Sequence, residues 1–292
     1  MSSPQKSTAA PPHGRGPSCL RLTGPAPLLE RRQIPHWCPT QIDLGAAGWL
    51  CPYDLVALAS TLARLREAGR PPALLAPRDP AVAADLSGLG IQEFDGLCGG
   101  EPLTPPPEPA LVPLQRLDSA EDWDFLLPDL WTAGSEQLGE PNLVRSVLEI
   151  LSELIDNAAT HGASKIGTYV CAQRYEPGGP LPPGIWLAVA DGGRGIPGHL
   201  RLNPKYSGER KDEQLIRLAR RPWVTGTRDR RGWGLVQVFE DAAELGLGEA
   251  VIRSGAGEGR FLLRHGRPPF ARYRSLRSRV PGTLVHLRID LA

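Results

Sequence analysis

The 292-residue sequence predicts an α/β protein with two domains. Apolar residues recur at helical spacing over residues 143–161, which predicts a buried helix, and the uninterrupted apolar run over residues 185–190 is typical of a buried strand. Residues 34–100 alternate between short apolar segments and helical patterns, as α/β units do. The length also favours two domains, because one domain usually has roughly 100–200 residues.

Residues 1–33 are rich in proline, serine, glycine and arginine. They show neither apolar periodicity nor the apolar core of a signal peptide, so we predict a disordered leader. The chain nowhere approaches the ~20 apolar residues of a membrane span, and we expect a cytoplasmic protein with no membrane partner. The net charge of +1 gives no reason to expect nucleic acid. Five cysteines without a Cys-x-x-Cys pair disfavour a metal cluster and a disulfide framework.

The first predicted domain, residues 34–100, reads as strand, helix, strand, helix, strand. Asp54 is placed to cap the start of the first helix and Gly69 its end. The other predicted elements are a helix from Asp79 to Gly90 and strands over residues 73–76 and 91–94.

Residues 101–117 are rich in proline and predict a semi-rigid linker. The second predicted domain, residues 118–292, opens with a helix over residues 118–138. We expect its packing face to consist of Trp123, Leu126, Leu127, Leu130 and Trp131. Aromatic side chains at such spacing usually belong to a core, so no ligand is assigned to them.

The helix over residues 143–161 carries acids and an amide that are candidates for chemistry. Glu149, Glu153 and Asn157 are four residues apart and therefore share one stripe. The oxygen of an Asn side chain is a suitable ligand for Mg²⁺. Glu153, one turn earlier, could hold and deprotonate a group that attacks a terminal phosphate. The alternative is a solvated polar face. His161 reads as a helix-end residue that the helix dipole favours.

A second motif, Asp191-Gly-Gly-Arg-Gly195, follows the predicted strand. The Asp191 carboxylate could accept a hydrogen bond from an exocyclic amine. Gly193 and Gly195 carry no Cβ atom, which leaves room for a flat base or for a turn with positive φ. This combination suits adenine. An ordinary Asp-Gly-Gly loop is the alternative.

A third motif, Gly232-Trp-Gly234, precedes an apolar periodic run that predicts a helix. Backbone amides at a helix start favour an anion, because they are unpaired and because the helix dipole is positive there. The motif therefore suits a phosphate group. A glycine-rich helix entry without a ligand is the alternative.

Taken together, residues 142–291 resemble the GHKL ATPase family, which includes gyrase, histidine kinases and anti-sigma-factor serine kinases. The resemblance implies an α/β sandwich with helices on one face of a mixed sheet, which binds ATP and Mg²⁺ under a mobile lid at residues 197–231. It also implies roles for the three motifs. Glu153 and Asn157 would form the first box, with Asn157 as the metal ligand. Asp191, Gly193 and Gly195 would form the adenine box, and Gly232 and Gly234 the phosphate box.

The run Glu-Leu-Ile-Asp-Asn-Ala-Ala-Thr-His-Gly at residues 153–162 is most similar to the anti-sigma-factor kinases, in which the first residue resembles a general base. Arg230 matches an arginine that reaches the phosphates there, a task that suits a guanidinium. A solvated loop charge is the alternative for Arg230. Thr283, after Gly282, resembles the family's threonine near the adenine. The resemblance implies a regulatory protein partner, either a sigma factor or an antagonist-like protein.

The layout of residues 34–100 resembles a STAS domain, the fold of anti-sigma-factor antagonists. Such antagonists carry a phosphorylatable Ser or Thr at the turn into the first helix, where this chain has Leu-Cys-Pro-Tyr-Asp at residues 50–54. We therefore expect a docking or sensing role for this domain.

Strands predicted over residues 251–253, 260–264 and 283–289 close the second domain. A basic stretch between them is expected to be solvated or to meet an acidic partner. It comprises Arg264, Arg267, Arg272, Arg274, Arg277 and Arg279.

The sequence leaves three functions open. The first is a Mg²⁺-dependent kinase that transfers the terminal phosphoryl of ATP to a Ser or Thr of a partner, with Glu153 as base. The second is an ATP-gated binding module with little turnover. The third is an ATPase coupled to closure of a homodimer.

Overall fold

The computed structural model describes residues 19–24, 27–30, 39–80, 82–83, 110–179, 181–226 and 234–291. Its N-terminal unit is a three-stranded parallel sheet in the order β1-β2-β3, with helices beside it. The elements of this unit are β1 Cys19–Gly24, α1 Pro27–Glu30, β2 Gln41–Ala47, α2 Pro52–Glu67 and β3 Ala73–Leu75.

The C-terminal unit is built on a five-stranded sheet in the order β4-β5-β6-β8-β7, and each neighbouring pair of its strands is antiparallel. Its strands are β4 Val112–Leu117, β5 Thr168–Tyr175, β6 Gly184–Asp191, β7 Gly248–Arg264 and β8 Arg267–Ile289. Its helices are α3 Ala120–Leu138, α4 Pro141–Asn157, α5 Gly195–Leu200, α6 Asp212–Ala219 and α7 Gly234–Leu245. The predicted α/β class is confirmed.

Strand β6 is buried along its whole length, because both faces of the sheet are covered. Ile185, Leu187 and Val189 belong to the core beneath α3, α4 and α7. Trp186 and Ala188, which point the other way, belong to a second core that continues into the N-terminal unit. The apolar run that predicted a buried strand thus reflects burial on two sides.

Helix α2 covers the second face of the five-stranded sheet and joins the two units. Its residues Tyr53 and Leu58 share one hydrophobic core with Tyr169 of β5 and Leu284 of β8. The resemblance placed helices on one face of this sheet, and the sequence did not predict that the N-terminal unit covers the other.

A buried ion pair reinforces this contact. Arg253 of β7 is 2 % exposed, and its guanidinium donates to Glu258 at 2.7 Å. It also donates to the carbonyl oxygens of Leu28 and Leu29 at 2.8 and 2.9 Å, and to the Tyr53 hydroxyl at 3.0 Å. All three nitrogens of the buried Arg253 guanidinium therefore donate a hydrogen bond.

Helix α2 begins at Pro52 with Cys51 as its N-cap residue, so Asp54 caps the helix from the third position, and its carboxylate does more than close the helix. It accepts the amide of Cys51 at 3.1 Å, and also those of Leu28 and Leu29 in α1 at 2.8 and 3.1 Å. Burial raises the pKa of Asp54 to about 6 against these hydrogen bonds. Gly69 ends the helix with a φ of 67°, as predicted.

Several boundaries differ from the predictions. The leader prediction is wrong for β1 and α1, where Leu20 and Leu22 are buried and β1 pairs with β2. The linker prediction is wrong for β4, an edge strand of the sheet. The sheet of the C-terminal unit is antiparallel, although the resemblance implied a mixed one. The rest of the linker, residues 101–109, and most of the second predicted helix with its following strand lie outside the described residues.

Two further elements need correction. Three strands were predicted near the C-terminus, but β7 and β8 form one long hairpin with bulges near Gly255. On α3, Trp123 is buried as expected, whereas Trp131 is 38 % exposed. Among the helices of the described residues, none has the length and apolar character that crossing a membrane requires.

Candidate functional site

A cavity of about 770 Å³, including its open mouth, lies between α4, α5, α7 and the ends of β6 and β8. Five of the predicted site residues line it, and they come from four separate parts of the chain: Asn157, Asp191, Gly195, Gly234 and Thr283. Most other lining residues are apolar, among them Leu154, Val189, Ile196, Leu235 and Val285. The cavity therefore combines apolar walls with a few polar groups, as small-molecule sites do.

The end of α4 shapes the first side of this cavity. The predicted helix stops at Asn157 and continues as one turn of π-helix, Ala158–Gly162, which ends at Ala163 with a φ of 50°. The carbonyl oxygen of Gly162 then accepts the amide of Arg194 at 2.8 Å. Single π turns of this kind are frequent at functional sites.

Gly193 does not line the cavity. A Cβ atom at this position would overlap the carbonyl group of Gly162, so the chain needs a glycine for this close approach. Its amide donates to the Asp191 carboxylate at 2.8 Å. Gly193 therefore acts on the site by holding Asp191, and not by making room for a base.

Asp191 ends β6 and is only 4 % exposed. Burial raises the pKa of its carboxyl to about 6, against the hydrogen bonds that it accepts from Gly193 and from the amide and hydroxyl of Thr283. Thr283 is its partner in the register of β6 and β8. The carboxylate is thus fixed in place by the motif and by the neighbouring strand together.

Gly195 lines the cavity beside Asp191, and Ser254 lies against Gly195 without lining the cavity itself. Gly195 has a φ of 69°, and a Cβ atom there would lie 2.5 Å from the Ser254 hydroxyl oxygen. The Ser254 hydroxyl accepts a hydrogen bond from the amide of Ile196 at 2.9 Å and donates one to the Gly282 carbonyl oxygen at 2.8 Å. It also lies within hydrogen-bond distance of the Thr283 hydroxyl, at 3.1 Å. Sequence reasoning missed Ser254, because it stands in a glycine-rich part of β7 without a motif of its own.

Asn157 and Glu153 face the start of α7. The side-chain amide of Asn157 donates to the carbonyl oxygen of Glu153 at 2.7 Å, one turn earlier in the helix. Reversing that amide would set two oxygens against each other, so this bond fixes the Asn157 oxygen as a free acceptor. Burial, followed by the charges of Asp156 and Asp241, raises the pKa of Glu153. Glu153 itself does not line the cavity.

Two histidines that were not predicted as site residues also line the cavity. The rings of His161 and His199 stack with centroids 4.3 Å apart and planes tilted by 33°. His199 accepts the amide of Gly226 at 3.1 Å through Nε2. Burial, followed by the charges of His161 and Arg194, lowers the pKa of His199 to about 4. His199 is therefore neutral at pH 7 and remains an acceptor for Gly226.

The segment that the resemblance assigned to a lid is described as far as residue 226, and Arg230 and Gly232 lie outside the described residues. The described part contains α5 and α6. Arg201 pairs with the buried Asp212 at 2.6 Å, and Asp212 also accepts the amide of Ala256 at 2.6 Å. These bonds attach α6 to β7.

No family model matches the chain, and neither a curated protein nor a solved structure matches it.

Proposed function

We propose that the chain binds ATP with Mg²⁺ in this cavity and transfers the terminal phosphoryl group to a serine or threonine of a partner protein. The observation that carries the proposal is that Asn157, Asp191, Gly195, Gly234 and Thr283, distant in sequence, line one cavity. The resemblance of their motifs to GHKL ATPases supplies the class of ligand, and a GHKL sandwich for the C-terminal unit is part of the same proposal.

The adenine end of the cavity fits a purine. The Asp191 carboxylate accepts three hydrogen bonds from the chain. An ionised carboxylate offers about four acceptor positions, so it can accept one further bond from an exocyclic amine. Leu154, Val189 and Ile196 provide an apolar surface for the ring.

The phosphate end fits a metal-bound triphosphate. The free oxygen of Asn157 lies beside Gly234, where α7 begins and where unpaired amides favour an anion. The described residues contain no group of three or more histidine, cysteine or acidic side chains that could hold a metal by themselves. That composition suits Mg²⁺, which usually keeps waters and phosphate oxygens and takes one or two protein ligands. The ion would neutralise charge that develops on the phosphates.

Glu153 is the base in this proposal. The partner's hydroxyl oxygen forms a bond to the terminal phosphorus, the bond from that phosphorus to the bridging oxygen breaks, and ADP leaves. The hydroxyl proton passes to the Glu153 carboxylate. Its raised pKa makes it a better proton acceptor than an ordinary glutamate.

A specific observation favours the gated binding module as a second candidate. A Cβ atom at Gly234 would lie 3.0 Å from the Glu153 carboxylate, which therefore faces the start of α7, and Glu153 does not line the cavity. If Glu153 stays outside the cavity when nucleotide is bound, it cannot take a proton from a partner's hydroxyl. The protein would then respond to ATP by changing its conformation, without transferring phosphate. In both candidates the N-terminal unit keeps the docking or sensing role that a STAS-like layout implies.

Incubation with ATP labelled on its terminal phosphate, in extract from the source cell, separates the two candidates. The kinase predicts a protein that acquires label on serine or threonine with the wild-type chain and not with Glu153→Gln. An unlabelled extract, together with measured ATP binding, would contradict the kinase and favour the binding module.

A further inference from the structure

The far part of the β7–β8 hairpin, residues 255–280, carries an unusual concentration of positive charge. It holds seven arginines and one glutamate, a formal charge of +6, although the whole chain has +1 and the remaining residues therefore have −5. Its arginines are Arg260, Arg264, Arg267, Arg272, Arg274, Arg277 and Arg279. Charge separated in this way directs association with oppositely charged partners.

The register of the hairpin sets like charges opposite each other. Arg260 pairs with Arg272, and Arg264 pairs with Arg267. Like charges directly opposite in a sheet are destabilising. An anionic ligand bound over these arginine pairs would offset that repulsion.

Three of these seven charges are paired with carboxylates of the described residues. Glu258 accepts ion pairs from Arg260 and Arg274, and Asp212 lies 3.5 Å from Arg279. The other four, Arg264, Arg267, Arg272 and Arg277, form no ion pair with a carboxylate of the described residues.

The same face of the hairpin exposes two apolar side chains. Leu262 pairs with Phe270 in the register, and they are 36 % and 55 % exposed. Phe261 and Leu263, which point to the opposite face, are buried in the core. Apolar side chains thus stand between arginines on the solvent side, while the hairpin is anchored from behind.

A groove of about 630 Å³ runs along this face. Arg260, Arg272, Leu262 and Phe270 line it, and Glu249 and Val251 from the start of β7 line its other side. Both ends of β7 line the groove, so this strand bends around it. The only acidic side chain among the groove's described lining residues is Glu249, and the side formed by Arg260 and Arg272 is basic.

We propose that this groove binds an extended acidic segment of a partner protein, in which carboxylates alternate with aromatic or aliphatic side chains. Alternation matches a strand, whose successive side chains face opposite ways. Leu262 and Phe270 stand beside Arg260 and Arg272 in the groove, which suits a chain whose own apolar and acidic side chains alternate, so a peptide is proposed in preference to nucleic acid. The inference does not depend on ATP binding, because the groove shares no residue with the cavity.

A random dodecapeptide library displayed on phage, selected against the full chain, tests this inference. We expect the enriched peptides to alternate acidic with apolar residues and to bind less tightly as salt increases. In fluorescence anisotropy, Arg267→Glu together with Arg272→Glu should weaken the best peptide at least tenfold, and Phe270→Ala should also weaken it. Arg145→Glu, an exposed charge reversal on α4, is the matched control and should bind as the wild type does.

The side chains of Arg267, Phe270 and Arg272 are exposed, so circular dichroism should show unchanged folding. Enrichment of neutral or basic peptides, or equal affinity of the charge-reversed variant, would overturn the inference. Tighter binding of single-stranded DNA of random sequence than of the best peptide would also overturn it, in favour of a nucleic-acid surface.

Discussion

Gly234 lies against the side chain of Asn157, although 77 positions of sequence separate the two residues. A Cβ atom on Gly234 would stand 2.6 Å from the amide nitrogen of Asn157 and 3.2 Å from its oxygen. This contact joins the first predicted motif to the third. It makes the position of the Asn157 oxygen depend on the absence of a side chain at the start of α7.

Gly234→Ala should therefore impair binding of ATP with Mg²⁺ more than it impairs folding. The added methyl group displaces the Asn157 side chain, which can rotate, so the free energy of unfolding should stay within about 1 kcal/mol of the wild type. The affinity for MgATP should fall about tenfold, or ~1.4 kcal/mol. Gly208→Ala, at an exposed glycine with open space around it, is the control and should change neither. Unchanged MgATP affinity in Gly234→Ala would remove Asn157 from the site.

Glu153→Gln should separate binding from chemistry. Glutamine keeps the size of the side chain but cannot take a proton, so MgATP affinity should remain within about tenfold of the wild type, or ~1.4 kcal/mol. Phosphate transfer or release should be lost, which single-turnover assays with labelled ATP would detect. Glu149→Gln, the same change at an exposed glutamate of the same helix, should keep both activities. Wild-type turnover in Glu153→Gln would exclude Glu153 as the base.

The raised pKa of Asp191 predicts a pH dependence of base binding. Its carboxyl has a pKa of about 6, so the ionised form that accepts an amine is lost as pH falls below that value. Affinity for adenosine, which has no phosphate to titrate, should be level above pH 7 and about tenfold weaker at pH 5. Asp191→Asn should bind weakly with no such pH dependence. A wild-type affinity that does not change between pH 5 and pH 8 would contradict an ionised acceptor at Asp191.

The buried pair of Arg253 and Glu258 should be a major contributor to stability. Both side chains are almost fully buried, at 2 % and 1 % exposure. Arg253→Met removes the donors to the Leu28 carbonyl oxygen and the Tyr53 hydroxyl, and it leaves Glu258 with only the partly exposed Arg260 and Arg274. It should therefore lower the free energy of unfolding by about 3–5 kcal/mol in urea denaturation. The exposed pair of Arg116 and Asp118 is the control, and Asp118→Asn should cost about 0–1 kcal/mol. A loss below 1 kcal/mol for Arg253→Met would show that this joint does not hold the two units together.

Local patterns predicted the elements that carry the site. The periodic apolar face of α4 and the apolar run of β6 are strong local signals, and both elements are present with Asn157 and Asp191 at their ends. The short glycine motifs around Gly195 and Gly234 predicted two further segments that line the cavity. Such patterns depend on neighbours within a few residues, and that is why they can be read from one sequence.

Features that depend on contacts between distant segments could not be predicted in this way. Strand β1 is a short segment of a proline-rich and glycine-rich stretch, and it is defined by its pairing with β2. The hairpin of β7 and β8 lacks regular apolar alternation, because glycines and arginines interrupt it. His199 lines the cavity, and Ser254 supports Ile196, only through that tertiary arrangement.

Isothermal titration calorimetry of MgATP binding to the wild-type chain and to Asp191→Ala decides whether the nucleotide occupies this cavity. We expect saturable binding of one nucleotide to the wild type. Asp191→Ala should lose about 1–3 kcal/mol of binding free energy, because the amine of the base would be buried without a partner. Absence of binding to the folded wild type, or equal affinity in the two proteins, would contradict an adenine site at Asp191.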